Sequence, residues 1–193
     1  MKIYLKSCSL FEVKTAVEYG LIDGISFMSE DRDDPCVATD NDFAAIARSN
    51  CGPTFILSGE KTAEKILEES RELIRLGPNT IIKVKLSLEA LKACKILSSQ
   101  QIPVAVYGIS NTAQALIAAR SGAEFLFLAP NQHTNQEQNL GKKPNDELLK
   151  QHGYNAQLIA SRTNDMQSLH AQIQSGIQAI EVDYSQLLKL VDA

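Results

Sequence analysis

"NTIIKVKLSLEALKACKILSSQQIPVAVY", residues 79–107, holds one strand–helix–strand unit, and its reading decides the fold. Ile81–Lys85 is a β-rich run. Ser87–Gln100 carries Leu88, Leu91, Ile96 and Leu97 at helical spacing, and Pro103–Tyr107 is β-rich again. Two such runs joined by a helix pair in parallel through a crossover. Within the first run, alternation sets Ile82, Val84 and Leu86 on one face and Ile81, Lys83 and Lys85 on the other. Lysine is almost never fully buried without a partner. The two ammonium groups therefore mark either a wet edge strand or a site that needs an amine in a dry place.

Outward from this unit, the same alternation recurs along the chain. The β-rich runs are Ile3–Leu5, Gly24–Phe27, Thr54–Leu57, Ile81–Lys85, Pro103–Tyr107, Phe125–Leu128, Gln157–Ala160 and Ala179–Val182. Helical stripes lie between them. Leu67, Leu73 and Ile74 mark one in Lys61–Leu76; Ala113, Leu116 and Ile117 mark another, with Asn111 or Ser110 as its N-cap. Gly20, Gly77 and Gly122 each follow a helix, where a residue with positive φ is wanted. Eight strand–helix units predict a single-domain (β/α)₈ TIM barrel over residues 1–193, just below the ~200-residue lower end of that fold. An open flavodoxin-like sheet is the alternative, but it leaves about three strands without a place. A closed barrel has no edge, so it turns Lys83 toward an interior. It also puts the polar stretch Asn131–Asn145 and the acidic run Glu30–Asp34 at the face where barrel sites are built. Taken alone, the acidic run reads as a solvated loop.

The composition narrows the function classes. A net charge of −4 and a pI near 5.4 do not suit nucleic-acid binding, which needs clustered basic residues. The longest apolar runs, such as Phe125–Pro130, fall far short of the ~20 residues that span a bilayer, and no secretory leader follows Met1. Cysteines at 8, 36, 51 and 94 show no metal spacing and read as free thiols of a reducing, cytoplasmic compartment. His133, His152 and His170 are scattered, so no metal site is expected. Glu181 and Asp183 end the eighth run two residues apart, so both can share one face. The bland reading is a solvated strand end with Asp183 as an N-cap. If one faces inward, it is the best candidate carboxylate for the site.

"NTIIKVKLSLEALKACKILSSQQIPV" (79–104) followed by "AQALIAARSGAEFLFLAPN" (113–131) resembles the transaldolase family, in particular its small fructose-6-phosphate aldolase type. That family carries an "IVVKVP"-like fourth strand, a "GIPT" fifth strand and a "QALxAAxAGAxY" segment leading into the sixth. "AQLIASR" (156–162) is similar to its seventh strand, and "KIYLKS" (2–7) to its first. The resemblance implies a (β/α)₈ aldolase or transferase that forms a Schiff base through a strand-four lysine, here Lys83, on a small sugar phosphate or carbonyl compound. It implies no cofactor and a small-molecule substrate as the only partner.

The resemblance also implies an acid/base Asp on strand one, an Asn on strand two, a Glu or Gln on strand three and a Thr on strand five. A Tyr or Phe and an Arg follow strand six, and a Ser sits on strand seven. At these places the chain has Lys6, Met28 (with Ser29 for the following Pro), Leu57, Tyr107, Ala129, Gln132 and Ser161. Lys83 and Ser161 keep the pattern, with Asn131 as a third, and Arg162 stands in for the missing Arg. Tyr107, Lys85 and Lys6 complete the candidate substrate-binding set. The family's extra C-terminal helix is missing after strand eight, which predicts a monomer or small homo-oligomer.

Two functions follow. One is a Schiff-base enzyme with weak or altered ordinary activity. The other is a repurposed or inactive barrel that binds a small anion through Lys6, Lys83 and Lys85. Burial, and the like charges of Lys85 and Lys6, predict that Lys83 titrates below a free lysine.

Overall fold

Eight parallel strands, each followed by a helix, close on one another in chain order. The computed structural model describes residues 1–27, 40–49, 52–129, 146–161, 166–174 and 177–191. The first half comprises β1 (Lys2–Lys6), α1 (Leu10–Glu18), β2 (Gly24–Phe27), α2 (Asp40–Ser49), β3 (Thr54–Leu57), α3 (Ala63–Leu73), β4 (Thr80–Lys85) and α4 (Leu88–Ser99). The second comprises β5 (Val104–Ile109), α5 (Thr112–Arg120), β6 (Phe125–Leu128), α6 (Asp146–Gln151), β7 (Gln157–Ala160), α7 (Met166–Gln174), β8 (Ala179–Asp183) and α8 (Tyr184–Val191). The ring closes where β8 pairs with β1, from Lys2 opposite Ala179 to Lys6 opposite Asp183. This is the (β/α)₈ barrel that the repeated unit predicts.

Strand alternation divides the apolar residues between two cores. Outward residues such as Ile82, Val84, Val104, Val106 and Leu126 pack under α3, α4 and α5 with Ile66, Ala93, Leu97 and Ala118. On the other side of the ring, Leu5, Ile25, Phe27, Ile180 and Val182 pack with Val13, Ala16, Leu169 and Leu187. The inward residues form a third core inside the ring: Tyr4, Phe55, Ile81, Ala105, Phe127, Ile159 and Ala179. Phe55 meets Tyr4, Phe125 and Phe127 edge to face at 5.0–5.2 Å. Large rings opposite small alanines fill the interior, so the barrel is packed and is not a pore.

Short, capped turns fix how the strands feed the helices. Ser87 follows β4 and accepts from the Ala90 N–H at 3.0 Å, opening α4; Asn111 does the same for α5 through Gln114 at 3.0 Å. Gly20 and Gly122 end their helices at φ +63° and +95°, as expected. Gly77 does not: its φ is not positive, and a Cβ there would meet the Ala47 Cβ at 2.8 Å, so close approach requires it. β5 runs on past Tyr107 because Gly108, at φ +84°, makes a bulge that shifts the register against β6. Among the described residues, no helix is long and apolar enough to cross a membrane.

Candidate active site

In a closed barrel, the four side chains of one interior layer come from alternate strands. One layer here is drawn from the even strands: Ser26 of β2, Lys83 of β4, Phe127 of β6 and Glu181 of β8. Three of the four are polar, and all are buried. Beneath it lies the odd-strand layer of Tyr4, Phe55, Ala105 and Ile159, each fully buried. Above it, by the same alternation, stand Lys6, Leu57 and Tyr107 of the odd strands, with Ser161 one residue past the end of β7. Leu57 is buried beside Lys83 as its register neighbour, whereas Lys6, Tyr107 and Ser161 are half-exposed.

Lys83 is 1% exposed and is held on several sides. Its Nζ donates to Glu181 Oε1 at 2.9 Å and to Ser26 Oγ at 3.0 Å. It stands 3.7 Å from the centroid of the Phe127 ring and 5.8 Å from that of Tyr107. A cation over an aromatic face is attracted by the ring quadrupole, which partly replaces lost water. Ser26 also hydrogen-bonds Glu181, which closes a triangle of amine, hydroxyl and carboxylate.

Burial on its own pushes the Glu181 carboxyl up. The Lys83 charge, the bonds from Ser26 and Lys83, and the more distant charge of Lys6 outweigh it and hold the group below the usual carboxylate range. The layer therefore holds an ion pair, with a proton donor and acceptor 2.9 Å apart in a dry interior.

This arrangement corrects one expectation directly. Lys85 and Lys6 were to drive Lys83 toward the neutral amine, but Lys85 is exposed and so solvated at the barrel rim. Glu181 instead places an opposite charge at hydrogen-bond distance, which favours the ammonium form. The carboxylate comes from β8, where Glu181 and Asp183 split their roles. Glu181 faces inward, and Asp183 Oδ1 accepts from the Gln186 N–H at 2.8 Å and the Ser185 hydroxyl at 2.7 Å, capping α8.

The structure brings the Tyr107 ring centre to 5.8 Å from Lys83 Nζ and Lys6 close enough to act on Glu181, while Ser161 lies just past the end of β7 and is half-exposed. Asn131, Arg162, Met28, Ser29, Gln132 and the Glu30–Asp34 run lie outside the described residues. Ser26 and Phe127 had not been expected. Among the described residues, no three His, Cys, Asp or Glu side chains converge to hold a metal ion.

Residues 57–130, from the end of β3 to just beyond β6 and including Lys83, match the family described as Transaldolase/Fructose-6-phosphate aldolase. A probable transaldolase of Nitrosopumilus maritimus is 34% identical over 137 residues, 65% of this chain and 57% of its own length. One from Alkaliphilus metalliredigens is 29% identical over 194 residues, 97% of this chain and 88% of the relative. One from Chlorobaculum parvum is 34% identical over 134 residues, 65% of this chain and 60% of the relative. The chain thus spans less than two thirds of the first of these relatives and most of the second. Over these residues, which include the strand-four lysine of the closed barrel, the chain is similar to the transaldolase family.

Proposed function

We propose that the protein is a Schiff-base (class I) aldolase or transferase acting on a small sugar phosphate or carbonyl compound through Lys83. One observation carries the reading: an amine fully buried inside a barrel, on β4, beside a carboxylate able to take its proton. The relatives named probable transaldolase support it. Ordinary transaldolase turnover is weak or altered in this reading, because Lys6 and Leu57 stand where the resemblance implies a carboxylate and a Glu or Gln. The alternative, an anion-binding barrel held by Lys6, Lys83 and Lys85, has less support. Glu181 already neutralises Lys83, and Lys85 is solvated. A reducing, cytoplasmic setting belongs to the same proposal and is supported by the buried free thiol of Cys94.

The test is covalent trapping. Incubated with dihydroxyacetone and reduced with borohydride, the protein should carry the adduct on Lys83, and Lys83→Met should lose it. Labelling spread evenly over exposed lysines would refute the nucleophile reading. A coupled fructose-6-phosphate assay should give a kcat below the usual ~1–10³ s⁻¹ of enzymes.

A further inference from the structure

We infer that Glu181 on β8 is the acid–base catalyst for imine formation at Lys83, carrying both protons of the departing water from Nζ to the carbonyl oxygen. This rests on the reading of Lys83 as the nucleophile. Three observations support it. Glu181 Oε1 is 2.9 Å from Nζ, a distance across which a proton passes directly. Ser26 bonds both groups and fixes their mutual orientation. Strand one, where the resemblance implies an acid/base Asp, offers Lys6 and so no base of its own.

The step balances without an outside proton. Lys83 starts as an ammonium and passes one proton to the Glu181 carboxylate. The freed nitrogen pair attacks the carbonyl carbon. The C=O π pair moves to oxygen, which takes that proton and becomes a hydroxyl. The nitrogen, now cationic, passes its second proton to Glu181. Glu181 hands this proton to the hydroxyl, the C–O bond breaks, and water leaves as the C=N bond forms. One ammonium and one carbonyl become one iminium and one water.

The charges at the end match those at the start, a cation on Nζ beside a carboxylate on Glu181. No net charge is created in a dry interior, where an unpaired ion is costly. The buried pair is thus a resting state that already holds the two protons needed.

The groups facing Glu181 are Lys83 on β4, Ser26 on β2 and Lys6 on β1, with the Tyr107 ring of β5 5.8 Å from Nζ. Asp183, on the same strand, is committed to the α8 cap. Because Glu181 is held below the usual carboxylate range, internal transfer should run at a rate nearly independent of pH from about 5 to 8.

The experiment measures the rate of borohydride-trapped dihydroxyacetone adduct on Lys83 in the wild type, Glu181→Gln and Glu181→Asp across that range. Glu181→Gln should slow labelling by about 10²–10⁴-fold. Its rate should now follow solution pH, because its protons must come from water. Glu181→Asp keeps the carboxylate and should restore the flat profile at a reduced rate. A merely structural role would lower the amount of folded protein without changing the shape of the profile. If Glu181→Gln does not fold, the Asp profile and a solvent deuterium isotope effect on wild-type labelling decide the matter. Absence of that isotope effect, or a Gln variant that labels at the wild-type rate with a flat profile, overturns the assignment and leaves the nucleophile standing. Wild-type protein that never labels on Lys83 overturns both.

Discussion

Removing the amine from the buried pair separates its structural role from its chemistry. Lys83→Met leaves Glu181 buried inside the ring, where among the described residues Ser26 and the more distant Lys6 remain to stabilise its charge. Breaking one partner out of a buried pair costs about 3–5 kcal/mol. For a domain of this size, at about 2–4 °C per kcal/mol, Tm should fall by roughly 10 °C. Lys83→Met/Glu181→Leu should recover most of that loss, because an apolar replacement of the whole pair is often neutral or stabilising by about 1–4 kcal/mol.

The pH dependence should change sign between the two proteins. In the wild type, the folded Glu181 carboxyl lies below its unfolded value, so the folded state binds fewer protons. Its contribution is fully present above the unfolded value of about 4.3 and is lost as pH falls through the folded one. In Lys83→Met, burial dominates and the carboxyl moves up. That variant should gain stability as pH falls from 7 to 5, by up to about 1.4 kcal/mol per unit. Urea titrations of all three proteins between pH 4 and 8 measure this. A Lys83→Met variant within about 1 kcal/mol of wild type, or one whose stability runs parallel to it, would show that Glu181 is not held by Lys83 as described.

Three further outcomes follow. Ser26→Ala removes the hydroxyl that bonds both members of the pair; it should cost about 1–3 kcal/mol and shift the acid-side loss of stability to higher pH, and an unchanged acid limb would refute it. Gly108→Ala meets no atom within 4 Å but must hold φ +84°, so urea unfolding should show a loss of about 1–2 kcal/mol; a neutral result would mean that the β5 bulge is not as drawn. Cys94 is fully buried, and burial followed by the nearby charge of Glu124 pushes its thiol up to about 12. Iodoacetamide at pH 8 should therefore leave Cys94 untouched in folded protein, and alkylation at the rate of a free thiol would contradict its burial.

The barrel was legible because its punctuation is local. Each β-rich run is separated from the next by a stretch long enough for a crossover helix, and β2, β3, β6 and β7 have the ends read from composition alone. β1 and β8 run one residue further at their exposed or capped ends, and β5 runs on through a bulge that apolar spacing does not encode. Lys83 was legible because a charge inside an apolar strand demands an explanation. Ser26 and Phe127 were not. "FLFL" is apolar on both faces, so alternation gives no phase for Phe127; in "GISF" alternation sets Gly24 and Ser26 on one face, but a lone serine there does not by itself mark a site. Glu181 fell between these cases. Its spacing from Asp183 suggested one shared face, but Asp183 is taken up by the Gln186 N–H and the Ser185 hydroxyl at the start of α8.

What sequence comparison along single strands misses, closure of the ring supplies. The resemblance implies a carboxylate on strand one, and Lys6 stands there, which reads as a loss when strand one is considered alone. In a closed barrel, however, β8 is the hydrogen-bonded neighbour of β1, with Tyr4 opposite Glu181 and Lys6 opposite Asp183. A carboxylate on β8 can therefore reach the centre of the ring from the next strand over. It meets Lys83 across the interior because both strands are even-numbered and contribute to the same layer. The position of Glu181 also changes what Lys6 does electrostatically. A second cation near an uncompensated lysine would be repulsive, but with Glu181 between them in charge, Lys6 instead helps to keep the carboxylate ionised. Thus Lys6, which looks like a defect on strand one, helps to hold the charge of the carboxylate that we infer to act at Lys83.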